Sequence, residues 1–279
     1  MYPASSVFRE HIMNSLLIII RITILSILRD KVLHVLVAAG LFLFLLVPTF
    51  SLFSMRQVQE LSISLSLSMI SFLLLVFSTV LGSFSIWRDV EKKYVISALG
   101  TPISRVSFVF GKFIGIACFI TVCSIVLGLI AYVVISTSAV QYRSDIPVRW
   151  LNVAVAIFGE NLKYVLLAAV ALLFSSISTS FFFPFFATVA VYFAGSASQN
   201  VFEYISGSYG DRLSPIARLI IKGIYYLIPN FSAFEYKIQA IYALGLSSTA
   251  VATMAAYFLV YTGMVLILAV WFFSWRELS

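Results

Sequence analysis

Charge is what this sequence has least of. Of 279 residues, 18 are Lys or Arg and 11 are Asp or Glu, or 10% together, against 62% hydrophobic. A soluble domain carries about 25% charged residues. With a mean hydropathy of +1.07, most of this chain is not built to meet water, which excludes an ordinary soluble domain. Cysteine is nearly absent as well: Cys118 and Cys123 both lie inside one apolar run and read as small buried hydrophobes, not as a disulfide or metal pair. The two histidines, His11 and His34, have no Cys or His neighbour at ligand spacing. That excludes a metal site of the usual kinds, and no nucleophile–base–acid set suggests a catalytic triad. A phosphate-binding loop of the form G-x-x-x-x-G-K-[ST] is missing, since Gly111–Lys112 is followed by Phe113. The chain therefore has no route of that kind to ATP. No cleavable signal peptide is expected, because the first apolar stretch is broken by Arg21 and lacks a small-residue cleavage pattern.

What is present is a series of long apolar runs. Lipid offers no partner to an unpaired backbone group, so runs of about 20 residues imply helices, and a membrane barrel would instead show segments of about 10 alternating residues. The expected fold is an all-α polytopic membrane protein with six transmembrane helices, at residues 32–53, 61–87, 113–135, 162–178, 181–197 and 250–271. Residues 6–31, with Arg21, Arg29 and Lys31, read as an interfacial helix in the headgroup layer. The piece 150–161 is partly amphipathic and is also placed at the interface. Glu160 and Lys163, spaced i to i+3, are then a local ion pair near one end of the fourth span. Residues 198–249 break the pattern with Gly207, Gly210, Pro215, Pro229 and seven charged residues. Within them "SPIARLIIKGIYYLIPN" has helical start and stop signals but an apolar core too short to cross, so an outer-face interfacial or re-entrant helix is expected.

The second run opens "LSISLSLSMIS", which alternates like a strand. Its length and apolar continuation favour a helix, on which Ser64, Ser68, Ser71, Ser78 and Gly82 share one face. Small residues let helices approach closely. That face suits packing within the chain, and equally a subunit interface or a lumen wall. An even number of spans puts both termini on one side, and with that side cytoplasmic the inner loops hold ten Lys and Arg against eight outside. The net charge of +7 then reflects anionic lipid headgroups and the positive-inside bias, not nucleic acid.

Between the second and third runs lies "EKKYVISALGTPISR". Residues 91–99 can form a short helix with Tyr94, Val95, Ala98 and Leu99 on one side and Glu91, Lys92 and Lys93 around the rest. Gly100 suits the left-handed position that ends a helix, and Thr101 and Pro102 suit the cap and first turn of the next, which runs through Arg105. One reading is an ordinary amphipathic surface loop; the other is a rigid lever at the membrane surface.

"RITILSILRDKVLHVLVAAG" and "WRDVEKKYVISALGTPISRVSFVFGKFIG" together resemble the type-2 ABC exporter permease family, closest to the branch of gliding-motility and nitrous-oxide-reductase maturation permeases. The matched elements are the acidic–basic run, then Pro102, Ile103, Ser104, Arg105, Gly111 and Lys112, and later "YYLIPNFSAFEYK" against a Leu-Pro-Asn element. The resemblance implies that residues 91–99 are a coupling helix docked on a separate cytoplasmic ATPase subunit, with Glu91, Lys92, Tyr94, Val95, Ala98, Leu99, Gly100, Pro102 and Arg105 serving the coupling. It implies a bacterial inner-membrane permease paired with a second copy of itself, and no cofactor in this chain, ATP and Mg belonging to the ATPase. The cargo is unidentified, with an apolar lumen suiting a lipid-like one, or the complex transmits force to an extracytoplasmic partner. The competing expectation is a non-ABC membrane scaffold or a secondary transporter. Tyr94 and the serines of the second run correspond to nothing in the family.

Overall fold

The computed structural model describes residues 4–51, 57–91, 104–141, 147–207 and 214–275. Among them every regular element is helical: α1 (Ala4–Leu28), α2 (Lys31–Leu45), α3 (Val47–Ser51), α4 (Val58–Glu91), α5 (Arg105–Gln141), α6 (Trp150–Ile177), α7 (Phe182–Ser206), α8 (Pro215–Leu227), a 3-10 turn (Phe231–Phe234), α9 (Lys237–Ile241) and α10 (Ser248–Trp275). Among the described residues five stretches are long and apolar enough to cross a membrane: Leu33–Ser51, Val58–Asp89, Arg105–Ala139, Trp150–Ile177 and Ser248–Trp275. The architecture is that of a polytopic helical membrane protein. α7 is 25 residues long but is not among the five; its first half is rich in Phe and its second carries Gln199, Asn200 and Glu203.

The alternating serines of α4 do not make a strand because their hydroxyls can be satisfied inside a helix. Ser62 donates to the Val58 carbonyl at 2.8 Å and Thr79 to Leu75 at 2.8 Å, which is how such residues are tolerated in apolar helices. The first run is interrupted at Leu46, between α2 and α3. Pro48 has no N–H to donate back, and its ring crowds the preceding turn.

The largest departure from expectation is in the fourth run. The structure continues that helix back through 150–161, giving one element of 28 residues, about 42 Å long at 1.5 Å per residue. α6 is the hub of the bundle: it packs against α4, α5, α7, α9 and α10. In its apolar window 78% is buried, against 28% for α10. The outer helices instead turn Val122, Leu129, Leu259, Ile267 and Trp271 outward, as lipid-facing surfaces do.

α8 matches the short helix expected before Pro229. It packs on α7 alone among the larger elements and leaves Ile216, Leu219, Ile220 and Leu227 exposed. The chain then folds inward. A side chain at Gly195 would collide with the Pro229 carbonyl and the Phe231 ring, and one at Gly159 with the Phe234 carbonyl. The two glycines thus let the 3-10 turn press directly onto the backbones of α7 and α6.

Candidate functional site: a braced helix junction and a buried charge cluster

Two polar assemblies stand out from the apolar bundle, one at an end of its helices and one in its interior. The first gathers where α4 ends and α5 begins. Arg88 of α4 donates to Asp30, in the turn between α1 and α2, at 2.5 Å; Lys112 of α5 pairs with Asp89 at 2.5 Å. Lys112 is only 7% exposed, so this pair is shielded from solvent in a way surface pairs are not. Arg105, at the start of α5, donates to the carbonyls of Phe273 (3.0 Å) and Ser274 (2.7 Å), in the last turn of α10. A guanidinium there satisfies carbonyls that the helix itself leaves unpaired. α1 crosses α5 at Gly111 and Gly115, one turn apart; a Cβ at either would run into Ile19 or Thr23. This is the close approach that small residues spaced by four allow between membrane helices. Trp87 ties the same end to α6 through its backbone N–H on Ser175 Oγ (3.2 Å), and to the turn after α6 through its indole N–H on the Thr179 carbonyl (3.1 Å).

Of the residues expected to serve coupling, Arg105 lies in this junction, and Glu91 is the last residue of α4. Lys92, Tyr94, Val95, Ala98, Leu99, Gly100 and Pro102 lie outside the described residues. The short helix expected at 91–99 therefore has no structural description beyond Glu91.

The second assembly is a cluster of four charges around Lys163. That residue sits at the middle of α6, about 20 Å from its start, and is 1% exposed. Its Nζ is 2.9 Å from Glu160 Oε2 and 3.5 Å from Glu235 Oε1. Lys237, two residues beyond Glu235, donates to Ser68 Oγ of α4 at 2.6 Å. Ser71 shares a 2.6 Å hydrogen bond with the Tyr164 hydroxyl, which lies 3.3 Å from that of Tyr192 on α7. Two carboxylates and two ammonium groups balance, as charges in a low-dielectric interior must. The cluster is closed on the α6 side and opens where Glu235 is 49% exposed. Burial pushes the Lys237 ammonium below its usual lysine range, with Glu160 and Glu235 pulling the other way. Chemically, the arrangement offers carboxylates and hydroxyls in sequence from a solvent-facing group to a buried one, suited to proton passage or to holding a small polar group, and it fastens the inward-folded segment to the bundle.

Sequence reasoning placed Glu160 and Lys163 near the end of a span and left Glu235 and Lys237 unassigned. The structure corrects the first placement, because helix α6 begins twelve positions earlier than its apolar run, about 18 Å. The small-residue face divides. Ser68 and Ser71 meet the cluster, and Gly82 takes Ala168 and Ala171 of α6 at close range. Ser78 is buried and bonds to its own helix at Leu75, and Ser64 is half-buried. Ser62, Ser66 and Ser83, on other faces of α4, are fully buried too. Asn152 went unnoticed in the sequence; its amide donates to the carbonyls of Gln239 (2.7 Å) and Leu244 (2.8 Å) and clasps α9 and the loop that follows it. Among the described residues no group of His, Cys, Asp and Glu could hold a metal ion.

No protein-family model matches this chain, and no curated protein matches it significantly.

Proposed function

We propose that this chain is the membrane-spanning permease subunit of an ABC transporter, worked by a separate ATPase subunit, with α7 as a sixth crossing and both termini in the cytoplasm. The observation that carries the reading is the junction at the end of α4 and the start of α5. The described part of α4 runs to Glu91 and α5 begins at Arg105. Lys112–Asp89 joins the two helices, and Arg88–Asp30, the α1 contact at Gly111 and Gly115, and Arg105 on α10 hold that point to α1, to the turn before α2 and to α10. A push delivered to a loose loop dissipates in the loop; one delivered to a braced junction re-packs the bundle as a unit. Residues 91–99 would supply the docking helix, with Tyr94, Val95, Ala98 and Leu99 as its apolar anchors. The permease would work as a dimer on an amphipathic or lipid-like cargo, or pass force to an extracytoplasmic partner.

The test is affinity purification of the full chain from its own host. The expected partner is a soluble ATPase with a phosphate loop, recovered with the wild type and lost with Leu99→Asp, which puts a charge into the docking groove. Asp89→Asn should keep the ATPase bound but uncouple ATP hydrolysis from the membrane event. Recovery of the wild type without any ATPase, or unaltered binding by Leu99→Asp, refutes the proposal.

The charge cluster favours a second reading, an ion-coupled secondary transporter, since ionisable groups deep in a bundle are where such proteins couple ions to cargo. Proteoliposomes separate the two. Uptake driven by a proton gradient without ATP, and abolished by Glu160→Gln, would select the second reading.

A further inference from the structure

Three consecutive charged residues join α1 to α2: Arg29 and Asp30 in the turn and Lys31 as the first residue of α2. Asp30 is engaged by Arg88. Arg29 and Lys31 are exposed and make no ion pair among the described residues. Together with Arg88 they rim an open bowl of about 630 Å³ whose remaining wall is Ser26 and two apolar residues of α1, Ile22 and Leu25. Those two are 58% and 40% exposed and belong to no buried cluster among the described residues. Through Ser26, Asp30 and Arg88 the bowl is continuous with a narrower crevice between α1, α2, α4 and α5, walled by Ile27, Leu33, Leu81, Phe84 and Ile116. Three cations against one carboxylate leave the mouth at +2. The feature thus has a cationic, hydrogen-bonding mouth and an apolar flank, at the end of α1.

We propose that this bowl is a binding site for the headgroup of an anionic glycerophospholipid, with the phosphate between Arg29, Lys31 and Arg88 and an acyl chain along Ile22 and Leu25. The charge selects an anion. The apolar wall selects an amphiphile over a free phosphate, which would leave Ile22 and Leu25 uncovered. Basic pockets between membrane helices bind lipid headgroups in this manner, each basic residue near the surface contributing on the order of 1 kcal/mol. A lipid seated here would wedge against Arg88 and so against the braced junction, which gives the site a bearing on the rest of the bundle whichever transport reading holds.

The test uses the full chain in mild detergent, offered equal amounts of phosphatidylglycerol and phosphatidylcholine, with retained lipid counted by native mass spectrometry. Wild type should retain phosphatidylglycerol in preference. Arg29→Gln/Lys31→Gln should lower that preference by about 10- to 30-fold, as two lost contributions of this size imply. Arg29→Lys/Lys31→Arg should keep it. Ser26→Glu, which adds a carboxylate to the bowl at an exposed position, should lower it without touching either cation, so the test stands even if the double variant misfolds. Unchanged retention in folded double variant or in Ser26→Glu overturns the proposal. Displacement of the phospholipid by excess inorganic phosphate overturns it too, in favour of a free-anion site.

Discussion

Replacing Lys163 with Met is the sharpest probe of the bundle's interior. The ammonium is 1% exposed and 2.9 Å from Glu160 Oε2. At an effective dielectric of 20 the gross attraction across that distance is about 6 kcal/mol, most of it offset by the cost of keeping both ions out of water. Removing one partner leaves that cost in place without the attraction. Lys163→Met should therefore destabilise the protein by about 3–5 kcal/mol. Glu160→Gln should cost less, because Lys163 keeps Glu235 at 3.5 Å. The double variant Glu160→Gln/Lys163→Met removes both charges at once and should be less destabilised than Lys163→Met alone, giving a coupling energy of about 1–3 kcal/mol. Reversible unfolding in mixed detergent micelles measures all three free energies. If the double variant loses the sum of the two single losses, the pair contributes nothing, and the account of α6 as a helix organised around an internal ion pair fails.

Glycine substitutions separate close approach from open space. Gly195→Val drives a side chain into the Pro229 carbonyl and the Phe231 ring and should cost about 3 kcal/mol, at the top of the overpacking range; hydrogen exchange at 229–234 should rise with it, and unchanged exchange would count against the packing described. Gly223→Ala, in the interior of α8 with nothing within 4 Å, should stabilise by about 0.5–1 kcal/mol in the same unfolding assay. The depressed Lys237 pKa has a definite sign. Between its folded value and the unfolded value of about 10.4 the unfolded chain binds the extra proton, so stability from this group rises with pH across that window and its burial is most costly below it. The stability difference between wild type and Lys237→Met should accordingly shift toward wild type as pH rises to that value, and a shift the other way refutes the assignment.

How much of this was legible depends on what interrupts each run. α4, α5 and α10 carry no charge through their middles, so run length alone located them. The second half of α6 was found as a span, and its first half escaped because Glu160, Asn161 and Lys163 break the apolar run at the point where hydropathy would have to carry the helix through. The signal that could have recovered it was present: two oppositely charged residues one turn apart, preceded by Gly159, and a second balanced pair, Glu235 and Lys237, later in the chain. Charge balance across 72 residues is a tertiary property, and periodicity within a window does not contain it. Gly111 and Lys112 were singled out as a motif, but their physical roles were not readable: the glycine admits α1, and the lysine closes on Asp89. The small-residue face of α4 was legible as a face and not as a destination, because serines are buried around several sides of that helix.

The i to i+3 spacing of Glu160 and Lys163 also bears on how the protein is made. When the last residue of α6, Ile177, is added, Glu235 and Lys237 still lie 58 and 60 residues further along the chain. A helix carrying one uncompensated charge at its centre would enter lipid at a penalty of about 2.5–3.5 kcal/mol on translocon-based scales. α6 carries its own counter-ion one turn away, so it can be handed to the bilayer as an electrically neutral rod and wait there. The later pair then arrives as a latch, and closing it is the last step at which the cluster reaches its full complement. Ribosome-bound intermediates arrested before residue 230 should on this view already hold α6 in the membrane, with its lysine still open to amine-reactive reagents from the side that Glu235 comes to cover.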